Sequence, residues 1–255
     1  MSTPLLIDLN ALRSNLEQIW SVIRRTACRI LLDQSGFPAW PLYPLLGLYL
    51  SGTVGSTRPE LERGLRWMDR DSHGLPAPDC TPEDFADLLP WCSHLTFADL
   101  SQWRTLGSVA HGLPRGFQVR ATERCLGGVP LSDLPRPLPK GISALRLTLR
   151  DTDPRLLTEA LSALEDCFGG PPHLFQISLG GPWPLTDPDF DLPALEHTLR
   201  DLRERWRALP VLEVGEAVRR GAILAPEGLP EHEFPEGFPA LWLREDGEVR
   251  PFSGF

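Results

Sequence analysis

Lysine is almost missing from this chain. Of its 25 basic residues only Lys140 is a lysine, so chemistry that needs a side-chain amine has one residue to draw on. Cysteine is sparse too. The five (Cys28, Cys80, Cys92, Cys125 and Cys167) are scattered, with no C-x-x-C pair; they suggest neither a zinc knuckle nor a disulfide frame, and a reduced cytoplasm is the expected compartment. Positive charge is in deficit: the formal net charge of -9 argues against a nucleic-acid surface, which needs a basic stripe to replace phosphate counterions. No apolar run approaches the roughly 18 residues that would span a bilayer, so no membrane partner is expected. The opening "MSTPLLIDLNAL" has no basic segment ahead of an apolar core, so no signal peptide is read there.

What is present is a chain of 255 residues, 42% hydrophobic and 23% charged, with 27 prolines crowding the loops and the last third. That length and balance predict one large domain with a full core. Short apolar runs alternate with longer amphipathic stretches. A helix is predicted from about Leu9 to Arg25. Strands are predicted at Arg29–Leu32, Gly52–Gly55, Leu65–Met68, His94–Ala98, Gly116–Ala121, Ala144–Leu149, Leu174–Leu179 and Val211–Val214. Helical patterns separate most of them, several opening on a cap such as Thr81-Pro82-Glu83-Asp84. The exception is "CLGGVPLSDLPRPLPK" after the fifth strand, where loop or one short turn is expected. Eight strands alternating with helices predict an α/β fold, a (β/α)8 TIM barrel, whose reactive face is the C-terminal end of its strands. From about residue 219 the texture turns Pro-, Gly- and Glu-rich, and "LWLREDGEVRPF" reads as a hairpin turning at Asp246-Gly247. The expected organisation is a barrel over 1–218 and a short hairpin tail over 219–255.

Five segments then become specific in order and spacing: "CRILLDQSGFPAWPLYPLL", "LSGTVGSTRPELERG", "LTFADLSQW", "ISLGGP" and "VLEVGEAV". Together they resemble the barrel of the carboxynorspermidine decarboxylases, which are alanine-racemase-like, fold-type III pyridoxal-phosphate (PLP) enzymes. The resemblance covers roughly residues 3 to 218. It implies that the lysine holding PLP at the end of the first barrel strand is replaced by Ser35, since Ile30-Leu31-Leu32 and Phe37 match around it. Lys140 precedes a strand, which puts it at the far end of the barrel. The family's cofactor-stacking histidine falls approximately on Arg146 and Thr148. The glycine loop that cradles phosphate becomes Gly180-Gly181-Pro182, and the E-P-G-[ER]-A loop becomes Glu213-Val214-Gly215-Glu216-Ala217, with Glu213 where relatives pair a carboxylate with the pyridine nitrogen. The family's C-terminal β-domain is expected to be missing.

These matches set the expectations. Gly180, Gly181, Glu213, Gly215 and Glu216 form a remnant cofactor pocket, against the plainer possibilities of a tight turn and an acid paired with an arginine. No covalent PLP, no other cofactor and no metal are expected. Asp33, Ser35, Asp69 and Asp71 are candidates for a replacement chemistry at the rim, with D-x-D-x-H spacing through His73 as a minor metal reading. Trp183 is expected to cover a pocket. The preferred function is a catalytically degenerate decarboxylase-like barrel working as a partner or regulatory subunit, in a homodimer or with an active paralogue. The alternatives are a non-PLP enzyme using the acidic rim, or a protein that binds a small phosphate or other anion.

Overall fold

The structure is a computed structural model and describes residues 5–37, 39–68, 70–110, 112–224, 240–243 and 249–251. The chain opens with β1 (Leu5–Asp8) and α1 (Leu9–Thr26). The barrel follows as β2 (Arg29–Asp33), α2 (Tyr43–Leu46), β3 (Gly52–Gly55), α3 (Arg58–Arg63), β4 (Asp71–Gly74), α4 (Pro82–Leu88), β5 (His94–Phe97), α5 (Leu100–Leu106) and β6 (Arg115–Arg120). It continues through the two-residue β7 (Val129–Pro130) to β8 (Ile142–Thr148), α6 (Pro154–Phe168), β9 (Gln176–Gly180), α7 (Leu192–Glu204), β10 (Leu209–Val214) and α8 (Glu216–Arg219). Eight parallel strands close into a ring, β2-β3-β4-β5-β6-β8-β9-β10, with β5 pairing β6 and β10 pairing β2. The expected barrel is therefore present, and β7 hangs on β6 within the proline-rich connection.

Local chemistry sets the helix starts. Asp8 accepts from the backbone N–H of Asn10 and Ala11 to open α1, Thr81 caps α4 through Asp84, and Asp153 caps α6 through Arg155; such caps satisfy first-turn donors that have no partner inside the helix. Leu12, Leu16 and Ile19 then share the buried face of α1. Ile30, Leu32, Leu145, Leu147, Ile177 and Leu179 join them in one core between strands and helices. Because strand side chains alternate between faces, the intervening positions turn toward the barrel axis. Many of these are polar. Asp33, Arg146 and Glu213 lie toward the C-terminal ends, Arg29, Asp71 and His94 open their strands at the N-terminal ends, and His73 sits two residues into β4.

One strand was misplaced in the sequence reading. Leu65–Met68 belongs to a helical turn over Gly64–Met68 that continues α3, and the third barrel strand is the polar Asp71–Gly74. Its register is fixed by Gly52↔Asp71 and Val54↔His73. Gly64 lets the turn lie against β3, since a Cβ there would fall 2.1 Å from Thr53 Oγ1. A second sheet lies apart from the ring. It runs β11-β1-β12-β13, with β11 (Ile223–Leu224), β12 (Ala240–Leu243) and β13 (Val249–Pro251). The pair β12–β13 is antiparallel and β12 also pairs β1, Leu6↔Trp242 and Asp8↔Ala240 among its partners.

Candidate functional site

At the C-terminal rim, β2 ends in Asp33 and turns at once into a single helical turn, Gln34–Gly36. Asp33 caps that turn: Oδ1 accepts from the Ser35 N–H at 3.0 Å and from the Ser35 hydroxyl at 2.7 Å. The turn can sit where it does because two glycines face each other. A Cβ on Gly36 would lie 2.8 Å from Gly215 Cα, and one on Gly215 2.9 Å from Gly36 Cα. The loops after β2 and β10 thus meet backbone to backbone.

Across the barrel mouth Arg146 of β8 meets Glu213 of β10. Arg146 Nε donates to Glu213 Oε1 at 2.7 Å and Nη2 to Oε2 at 2.5 Å, while Nη1 donates to Gln118 Oε1 and Thr148 Oγ1. The two side chains are only 10% and 6% exposed. The strand between them, β9, offers Gly180 at that level, beside Thr148 and next to Leu179, the partner of Leu212. A Cβ on Gly180 would lie 2.5 Å from Arg146 Nη2 and 3.0 Å from Glu213 Oε2, so the glycine makes room for the ion pair. Burial pulls the Arg146 guanidinium down, but the charge and hydrogen bonds of Glu213, with Asp33 beyond, leave it above its ordinary value.

A cavity of about 180 Å³ opens here, lined by Asp33, Ser35, Ser56, Glu60, Arg146 and Glu213 among others. Of its charged groups, three are carboxylates and one is a guanidinium. With Arg146 and Glu213 neutralising each other, Asp33 and Glu60 leave the lining acidic. That favours a cation over the small anion considered from sequence.

The remaining expected residues fall in different places. Gly181 has φ +136° and faces the Leu149 carbonyl, so it serves a tight turn. Glu216 is half-exposed and pairs with Arg219 at 2.7 Å. Gly180, Gly181, Gly215 and Glu216 are not among the residues lining the cavity. Asp69 lies outside the described residues. Asp71 opens β4 and so stands at the opposite end of the barrel from Ser35, a correction that follows from the misplaced strand. Trp183 does not line this cavity: it is 1% exposed in the core and its indole N–H donates to Leu179 O. Lys140, exposed just before β8, is at the N-terminal end as expected. The sequence reading missed Glu60, whose Oε2 accepts from the Ser56 and Thr57 N–H groups. Its signal was the capping spacing Thr57-x-x-Glu60.

No protein-family model matches the chain. The chain is 27% identical over 238 residues to the carboxynorspermidine/carboxyspermidine decarboxylase of Herminiimonas arsenicoxydans, covering 86% of itself and 65% of that protein. It thus spans just under two thirds of the length of that relative. Its fold is similar to carboxynorspermidine decarboxylase complexed with norspermidine from Campylobacter jejuni, with a TM-score of 0.79, 21% identity, and coverage of 88% of this chain and 62% of that one. It is also similar to SrLDC in complex with PLP and cadaverine, with a TM-score of 0.64, 18% identity, and coverage of 88% and 63%. The resemblance to carboxynorspermidine decarboxylases read from the sequence is borne out, and the barrel is decarboxylase-like.

The same comparison corrects the expectation that there is no cofactor. A solved barrel of this fold holds PLP, which points to PLP as the cofactor of the fold rather than to none. The residues at this rim do not match that group well. Ser35 offers a hydroxyl instead of an amine, both oxygens of Glu213 are held by Arg146, and the Gly181 turn is packed against Leu149.

Proposed function

We propose that this chain is a decarboxylase-like barrel of polyamine metabolism that serves as a partner or regulatory subunit and does not turn over substrate by itself. The observation that carries this reading is the Arg146–Glu213 pair. The family's approximate histidine position and its glutamate position bond each other, and each neutralises the group a reacting ligand would need. The polyamine link rests on the relatives, one a carboxynorspermidine/carboxyspermidine decarboxylase and one complexed with norspermidine. The acidic lining set by Asp33 and Glu60 supports it, since polyamines are cations at neutral pH. In this reading residues 1–218 are the barrel unit and 219–255 an appended hairpin segment. The five free cysteines suit the cytoplasm. No helix among the described residues is long and apolar enough to cross a membrane.

The partner is a second copy of the chain or an active decarboxylase of the same fold. The test is co-expression with an intact carboxynorspermidine decarboxylase, followed by size-exclusion chromatography and assay of carboxynorspermidine turnover with PLP supplied. The expected result is co-elution with a changed kcat for the intact enzyme, and no turnover by this chain alone. Turnover by this chain alone at a rate near that of the intact enzyme would overturn the proposal.

A further inference from the structure

The N-terminal end of the barrel holds a polar group that the rim does not account for. Asp71 and His73 of β4 and His94 of β5 each bring one ligand atom within 4.8 Å of the others. The two imidazoles stack with centroids 4.2 Å apart and planes 27° apart. His73 is 5% exposed, and its Nε2 is buried with no hydrogen-bond partner. A polar atom left in that state is costly, which is reason to ask what it binds.

The hydrogen bonds of His94 narrow the answer. Ser93 Oγ donates its one proton to the Ser72 carbonyl at 3.0 Å. It also lies 3.2 Å from His94 Nδ1, from which it accepts in the tautomer that carries the ring proton on that nitrogen. In that tautomer Nε2 keeps its lone pair for a ligand. A ring N–H donated outward, fixing the tautomer of the other nitrogen, is how metal-bound histidines are held. Burial, and then the charge of Arg29, push His94 down to about 4. Burial, His94 and Arg29 push His73 well below its usual value. Neutral imidazole is the form that ligates metal.

Asp71 completes the set. Its Oδ2 is bonded by Arg29, which leaves Oδ1 for a ligand. A solvent-open cavity of about 610 Å³, lined by Arg29, Ser51, Arg70 and Asp71 among others, reaches the carboxylate side of the group.

We propose that Asp71, His73 and His94 form a divalent-metal site of the zinc type at the N-terminal end of the barrel. Two imidazole nitrogens and one carboxylate oxygen are a donor set for a borderline ion, with the remaining position left to water. The site ties β4 to β5 and is independent of whether the rim turns over substrate. Arg29 works against it, since a guanidinium beside the carboxylate repels the incoming cation. Removing that charge should therefore tighten binding.

The test uses tag-free, EDTA-treated protein titrated with ZnCl₂ by calorimetry, with CoCl₂ and its visible absorption as a second readout. One ion per chain is expected. His94→Gln and Asp71→Asn should each weaken it roughly tenfold or more, and Arg29→Gln should strengthen it roughly tenfold or more. His94, half-buried, is varied in place of His73 so that the core is left intact; circular dichroism of each variant reports folding. If neither the wild-type protein nor Arg29→Gln takes up an ion, or if both ligand variants bind as the wild type does, the two histidines are a packing pair and the proposal fails.

Discussion

Replacing Arg146 by methionine tests the central feature of the rim. The substitution keeps length and apolar bulk but removes the guanidinium that holds both oxygens of Glu213. Glu213 is 5% exposed, so its carboxylate would be left buried without its cation. Breaking a buried pair in this way costs roughly 3–5 kcal/mol, most of it the penalty of the stranded charge. Gln118 and Thr148 also lose a donor, which places the expected loss in the upper half of that range. At roughly 2–4 °C per kcal/mol for a chain of this size, the thermal midpoint should fall by about 8–20 °C.

The double variant Arg146→Met/Glu213→Met carries the sharper information. It removes both charges, and replacing a buried pair by apolar residues of similar volume is often neutral. Most of the single-variant loss should therefore return. The assay is urea and thermal unfolding followed by far-UV circular dichroism on the wild type, both single variants and the double. A single-variant loss under about 1 kcal/mol would mean that the pair behaves like an exposed surface bridge. A double variant no more stable than Arg146→Met would mean that stranded charge is not what the single variant measures. Either result refutes the reasoning.

Other substitutions probe what positions the rim and its neighbours. Gly36→Ala and Gly215→Ala each drive a methyl into the opposing backbone at 2.8–2.9 Å and should destabilise by about 1–3 kcal/mol, read as a lowered urea midpoint. Asn15 donates to the Val218 and Arg220 carbonyls; Asn15→Leu should cost about 1–3 kcal/mol and open the segment around α8 to faster amide exchange. Burial pushes the Cys28 thiol up to about 11 and the Cys92 thiol up to about 12. Little thiolate then exists at pH 8, so native-state labelling with a disulfide reagent should modify the half-buried Cys80 and Cys167 first. Cys28 and Cys92 should react only after urea is added, as mass spectrometry of the labelled peptides would report.

Seven of the eight barrel strands were legible, six of them because alternation leaves a short hydrophobic signal on the outward face. The eighth was not. Asp71-Ser72-His73-Gly74 carries no large apolar residue, and its buried positions are Ser72, His73 and Gly74. The neighbouring Leu65–Met68 had the stronger strand pattern and drew the assignment. That one displacement sent Asp71 to the wrong end of the barrel, and it hid the proximity of His73 to His94. The Ser35 position at the rim, by contrast, followed from flanking residues alone. What no single segment could show was that Arg146 and Glu213 find each other, because the contact runs across β9 and depends on Gly180 having no side chain.

The interior of the barrel explains why these polar groups matter more than their number suggests. A barrel of this class is ordinarily filled by layers of branched apolar side chains, and here most of the strands' Ile and Leu, though not Leu31, belong to the core between strands and helical shell. That shell supplies the hydrophobic stabilisation, so the axis is free to carry charge at both ends. Stability does not require it to: an apolar pair in place of Arg146 and Glu213 would hold the barrel about as well. A buried ion pair that stability does not demand, facing a cavity lined by Asp33 and Glu60, belongs to the electrostatics of that rim. The same reasoning applies at the other end, where a partnerless ring nitrogen on His73 adds nothing to packing. Each end is a place where the fold accepts a local cost, and such costs fall where a protein meets a ligand.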